Sequence, residues 1–216
     1  VHLVVVSTTD VHGWFAGHQD AVPPYGGLSL FAGFVEALRA ANPGRVVVLD
    51  SGDLFQGTLE SNLFEGEPVV RGYNAIGYTA AAVGNHEFDF GPVGPDPVPL
   101  KPGQDPLGAL KRNASMATFT FLSANMTEKA TGRTPAWAKA SMIADVAGVK
   151  LGVIGLSTPD TPNTTVFANV ATLDFGDPVA ATVREAAALR ASGADAVIVI
   201  AHMGGRCSNV SDPHNP

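Results

Sequence analysis

The stretch "AAAVGNHEFDFG", residues 80–91, puts an amide, an imidazole and two carboxylates directly behind a short run of small apolar residues. Asn85, His86, Glu87 and Asp89 all fall within it. Similar polar endings follow three other apolar runs. "LVVVST" leads into "TDVHG", with Asp10 and His12; "RVVVLD" leads into "SGDLFQG", with Asp50 and Asp53; "DAVIVIAH" ends at His202. Asp, Asn and His offer hard oxygen and borderline nitrogen donors, which suit Mn, Fe, Zn or Co and not a thiolate-selective ion. Asp10 and His12 stand two positions apart, so on an extended segment both side chains point to one face and grip one ion. A carboxylate such as Asp53 can bridge two ions, and Gly52 and Gly84 let the backbone turn tightly beside such a cluster. Ser7, Ser51 and Cys207 carry no neighbouring base, so the pattern asks for no nucleophilic side chain.

The elements that must position these groups alternate in type. Apolar runs at 3–8, 45–50, 80–83, 119–125 and 195–202 predict strands. Between them, Leu28, Phe31, Phe34, Val35 and Leu38 recur at helical spacing over 28–42, and 68–77 predicts a second helix that stops at Gly77. Residues 91–106 carry six prolines and read as a surface loop. Asp105–Pro106 and Asp177–Pro178 each read as an N-cap followed by proline in the first helical position, and Gly193 as a stop. Residues 139–158 predict a hairpin around Gly148. Strands alternating with helices imply an α/β domain, with the hairpin adding an antiparallel element. Ligands of open α/β sheets sit at the carboxyl ends of the strands, so groups far apart in sequence can converge there.

Composition narrows the function classes. The chain has 216 residues, 45% hydrophobic and 15% charged, enough for a sizeable core in one domain. Its net charge of −7 argues against a nucleic-acid polymer as partner, because such affinity rests on Lys and Arg. It leaves room for a small anionic substrate, since a bound metal supplies local positive charge. No apolar run approaches a membrane span, and the lone Cys207 rules out a disulfide within the chain. Cys207 is then either a free thiol or half of a bridge to a cysteine beyond Pro216. The N-x-S/T sequons at Asn113, Asn125, Asn163 and Asn209 read as chance matches, and His2, His18 and His214 as incidental. Trp14 and Phe15 read as local packing.

Taken in order, "TTDVHG", "GDLFQGT", "GNHEFDFG" and "AHMGG" resemble the metallophosphoesterases of the 5′-nucleotidase family, and the resemblance covers nearly the whole chain outside the proline-rich loop. It implies a four-layer α/β/β/α metallophosphoesterase sandwich, with 1–216 its N-terminal part and incomplete at the C-terminus. The family's later G-H-x-H strand and its base-binding C-terminal domain have no counterpart here, so the remainder of a longer chain is expected to complete the site. The resemblance implies two divalent metal ions (Mn, Zn, Fe, Co or Mg), with Asp10 and His12 on the first, Asn85 and His202 on the second, and Asp53 bridging. It gives His86 the catalytic role of stabilising the transferred phosphoryl group, with Asp89 orienting it; Glu87 reads as structural. The implied activity is hydrolysis of nucleotides or related phosphoesters by metal-activated water, in the periplasm or outside the cell. A non-catalytic binding protein on the same scaffold is the competing reading. Loss of ligands would mark it, and every ligand expected in this stretch is present.

Overall fold

A computed structural model describes residues 2–17 and 25–204. From the N-terminus these form β1 (Val4–Thr8), α1 (Leu28–Ala41), β2 (Val46–Asp50), α2 (Leu59–Asn62), α3 (Glu67–Ile76) and β3 (Ala80–Ala82). A single 3₁₀ turn at His86–Phe88 and the helix α4 (Gly108–Met116) come next. β4 (Thr120–Leu122), β5 (Met126–Glu128), β6 (Ser141–Val146) and β7 (Val149–Ser157) follow. The chain then forms α5 (Thr161–Thr164), α6 (Phe167–Val170), β8 (Leu173–Phe175), α7 (Pro178–Ala191) and β9 (Ala196–His202).

The strands make two principal sheets. β1, β2, β3 and β4 lie side by side in that order, all parallel. In the second sheet β7 pairs antiparallel with β6 and parallel with β9. β5 and β8 form a small antiparallel pair. Alternation along each strand assigns its two faces to different neighbours. Val48, Ala81 and Phe121 point to one side and pack with Val35 of α1 and Val69 and Tyr73 of α3. Val47, Leu49, Ala80, Ala82 and Leu122 point to the other side and meet Leu151, Val153 and Ile200 of the second sheet. The far face of that sheet, Ile154 and Leu156, packs on Ala181 and Leu189 of α7. The layers therefore run helix, sheet, sheet, helix. Strands buried on both faces read as unbroken apolar runs, which is why β2 and β3 show no polar alternation. Gly155 sets the spacing between the sheets: a Cβ there would run into the Cβ and carbonyl of Leu122.

Several local expectations shift. In α1, Leu28 and Val35 are buried while Phe34 is exposed, because Phe34 sits at the rim of the apolar stripe. α4 begins at Gly108 and not after Asp105; the Asp105 carboxylate instead accepts from Leu107 N at 3.0 Å and caps the turn before the helix. The strand expected over 119–125 narrows to β4, because Ser123 and Asn125 leave the ladder for a buried polar network. Asp177 does cap α7, accepting from Val179 N at 2.8 Å, with Pro178 next and Gly193 in the left-handed region just past the end. The hairpin turns at Ala147–Gly148. Asn113 and Asn125 are buried and bonded to backbone, so neither accepts a glycan; Asn163 is exposed. His18, Cys207, Asn209 and His214 lie outside the described residues. Among the described residues no helix is long and apolar enough to cross a membrane.

Candidate functional site

The carboxyl ends of β1 and β2 are stitched together by backbone. Ser51 N donates to Thr8 O at 2.8 Å, Asp10 N to Gly52 O at 3.0 Å, His12 N to Asp53 O at 3.0 Å and Gly13 N to Leu54 O at 2.9 Å. Within this zipper Asp10, His12 and Asp53 adopt φ of 52°, 47° and 61°. Only five non-glycine residues among those described occupy the left-handed region, and three of them are these. Each such conformation costs on the order of 1–2 kcal/mol and persists only where the surroundings over-determine it. Asp10 and His12 therefore converge through two left-handed turns. The extended alternation expected from their spacing is absent, because residues 9–12 leave the β conformation at the end of β1.

One donor atom each from Asp10, Asp53 and His202 lie within 4.8 Å of one another. His202 Nε2 is 3.1 Å from Asp53 Oδ2, and His12 Nε2 is 3.8 Å from both Asp53 Oδ2 and Asp10 Oδ1. Both imidazoles are held from behind. His202 Nδ1 meets Ser51 O at 3.1 Å and His12 Nδ1 meets Gln56 O. A carbonyl only accepts, so each Nδ1 carries the proton and each Nε2 is the nitrogen turned to the cluster. Burial draws the His202 imidazole down, but the hydrogen bond and charge of Asp53, with Glu87 and Asp10 behind, outweigh it and raise its pKa to about 9. Burial alone would raise Asp53. Hydrogen bonds from His202 and from His86 N, together with the imidazole charges, hold it below the ordinary carboxylate value. Two carboxylates, the buried Asp53 and the exposed Asp10, with imidazole nitrogens turned toward them, are the donor chemistry of a divalent cation site, and these residues fit one.

The turn after β3 closes the cluster from the side. A Cβ on Gly84 would run into the carboxylate and backbone N of Asp53. Glu87, buried, accepts from Asp53 N at 2.9 Å, Leu54 N at 2.6 Å and Gly84 N at 2.7 Å, so it ties this turn to the loop after β2. Burial, with the Asp53 charge, pushes its pKa to about 8 against the pull of those three donors. His86 N donates to Asp53 Oδ1 at 2.9 Å. The His86 ring stands 5.2 Å from that of His12, edge to face. Its Nδ1 meets Asp89 Oδ2 at 2.5 Å, and the other Asp89 oxygen accepts from Thr165 Oγ1 at 2.7 Å. Asn85 Nδ2 donates to Thr164 O at 3.0 Å, which fixes the amide plane and leaves Oδ1 as its available donor atom.

Thr164 and Thr165 were not legible as site residues, since nothing in "NTTV" marks them and their partners lie 79 and 76 positions away. Asp50, at the end of β2, does not join the cluster. It is fully buried and accepts from Thr8 Oγ1, from Gly52 N at 2.7 Å and from Tyr73 Oη at 2.9 Å. Burial raises its pKa to about 7 despite those bonds. Phe15 packs against the core, whereas Trp14 is 49% exposed and lines a groove of about 670 Å³ that runs from Asp10 along α1.

A two-sheet sandwich carrying an Asp/His cluster at its strand ends is the build of a metallophosphoesterase. The family model for calcineurin-like phosphoesterases matches residues 3–216, and the chain belongs to that family. Within it the chain is related to 5′-nucleotidases. It is 35% identical over 208 residues to a 5′-nucleotidase of Vibrio cholerae, covering 94% of this chain and 34% of the relative. It is 34% identical over 211 residues to a snake venom 5′-nucleotidase of Gloydius brevicauda, covering 94% and 33%. A 5′-nucleotidase precursor from Thermus thermophilus superposes with a TM-score of 0.74 at 28% identity, over 94% of this chain and 37% of that one. The chain spans about a third of the length of the curated relatives it matches.

Proposed function

We propose that this chain is the metal-binding part of a divalent-metal phosphohydrolase of the 5′-nucleotidase type, acting on nucleotides or related phosphoesters. The observation that carries the reading is the convergence of Asp10, Asp53 and His202 within 4.8 Å, with the imidazole Nε2 atoms turned inward. In this reading Asp10 and His12 would hold one ion, Asn85 and His202 a second, and Asp53 would serve both. A divalent ion bound there supplies charge against a phosphate and lowers the pKa of a water bound to it. Asp53, buried and gripped by His86 N, keeps its carboxylate aimed at the two imidazoles. His86, with Nδ1 committed to Asp89, has Nε2 as the ring nitrogen left to meet a phosphoryl or leaving oxygen. The match to only about a third of each relative's length supports reading this chain as part of a longer protein, whose further residues would close the site and read the substrate. Export to the periplasm or cell exterior belongs to the same proposal.

The test is calorimetric titration with Mn²⁺ in buffers of different ionisation enthalpy, on this chain and on a form extended through the region its relatives carry. A proton must leave His202 before its Nε2 can serve as a ligand, so binding should release protons and the heats should differ among buffers. Identical heats in every buffer would overturn the assignment of His202. Hydrolysis of AMP by the extended form would establish the activity; tight metal binding with no turnover of any phosphoester would favour the binding protein.

A further inference from the structure

We propose that Thr165 is a positioning residue: its hydroxyl locks the Asp89 carboxylate and, through it, the tautomer and orientation of His86. This rests on the reading of His86 as the group that meets substrate. A carboxylate bound at one oxygen can swing, because the Asp χ2 torsion is broad and two-fold. Asp89 is bound at both oxygens, to His86 Nδ1 at 2.5 Å and to Thr165 Oγ1 at 2.7 Å, and its side chain is 17% exposed. The threonine hydroxyl donates here, since a carboxylate only accepts. With Oδ1 occupied, Oδ2 is left to take the Nδ1 proton, and His86 is confined to the tautomer whose Nε2 accepts or, once protonated, donates.

Neighbouring contacts show that this is one of several ties from a single segment. Thr164 O accepts from Asn85 Nδ2 at 3.0 Å, and Asn169 Nδ2 donates to Phe88 O at 2.9 Å. Residues 164–169 thus grip the turn at Asn85, Phe88 and Asp89. The segment hangs from the end of β7, in the second sheet, whereas the turn it grips continues β3 of the first. His86 N and Glu87 fix the turn against Asp53, while the orientation of the His86 ring depends through Asp89 on a contact between the two sheets, and Thr165 is its only side-chain donor to the His86–Asp89 pair among the described residues.

The test is long-range ¹H–¹⁵N NMR of the His86 ring in the metal-free chain, at a pH where its spectrum shows that ring neutral. Wild type should show His86 as a single Nδ1–H tautomer. Thr165→Val, which keeps the shape and removes the hydroxyl, should show a mixture, and Thr165→Ser should restore the single form. Thr165 is half-buried and outside the helices and strands, so Thr165→Ala read the same way serves if valine crowds the fold. In the extended form, kcat should fall about 3- to 10-fold in Thr165→Val, the scale of one hydrogen bond, with KM and Mn²⁺ content unchanged. An unchanged His86 signal in both Thr165→Val and Thr165→Ala, or failure of serine to restore it, overturns the proposal. A tautomer shift in a protein that hydrolyses no phosphoester would leave the positioning intact and refute the phosphohydrolase reading instead.

Discussion

The loops after β1 and β2 and the turn after β3 hold their side chains by different means. The first pair is fixed by backbone: a run of main-chain bonds from Thr8–Ser51 to Gly13–Leu54 carries Asp10, His12 and Asp53 in left-handed conformations. The turn at 84–89 is fixed mainly by side chains. Glu87 ties it inward, and Thr164, Thr165 and Asn169 tie it from the other sheet. Asp10, His12 and Asp53 thus sit on a frame held largely by main-chain bonds, whereas Asn85 shares the side-chain-held turn. The candidate catalytic pair sits on a frame that a single hydroxyl can loosen.

The largest effect that would break this contrast is at Asp53. Asp53→Ala removes the carboxylate facing His12, His202 and His86 N together, so Mn²⁺ binding measured by calorimetry should be abolished. His86→Ala should leave Mn²⁺ content unchanged and lower kcat of the extended form by about 10²- to 10³-fold, the scale of one transition-state donor. Loss of metal as complete as in Asp53→Ala would mean that the turn at 84–89 is a metal cage and that the contrast is false.

Asp50 sharpens the comparison from beneath. Its pKa is raised from 3.8 unfolded to about 7 folded, so the folded state holds the proton more tightly. Its contribution is full below about pH 4 and is lost as pH rises to about 7, a change of about 4 kcal/mol for a shift of this size. Urea denaturation of the metal-free chain should show stability falling across that window, and Asp50→Asn should make the fall shallower, leaving the part that Glu87, raised to about 8, contributes. A parallel pH dependence in the two proteins would show that Asp50 is not the group responsible.

Gly84→Ala drives a methyl into Asp53 and should cost about 1–3 kcal/mol in the same experiment, weakening Mn²⁺ binding with it. The smallest change expected is Ser157→Ala. Ser157 Oγ donates to Val83 O at 2.6 Å and pairs with Ser123 Oγ at 2.9 Å, between the sheets and directly behind the turn. Its loss should cost about 1–2 kcal/mol and leave Mn²⁺ affinity unchanged. If affinity fell as far as in Gly84→Ala, the backbone frame would not be independent of the packing between sheets.

The sequence by itself marked the strand ends as the candidate site. Apolar runs stopping at Asp, Asn or His predict strands that deliver polar groups to one edge of a parallel sheet, and that logic is local. It also determined α1, α3, α7 with its Asp177 cap, and the hairpin at Gly148, because helical period, capping residues and turn glycines act over a few positions. Only the tertiary structure decided how Asp10 and His12 converge, since their left-handed backbone is imposed by bonds to Gly52 and Asp53 about forty residues on. It alone excluded Asp50 from the cluster and buried it beside Tyr73, although Asp50 and Asp53 look alike in "LDSGD". And it alone brought Thr165 to Asp89, because a contact between two sheets leaves no periodicity and no spacing in the chain from which it could be read.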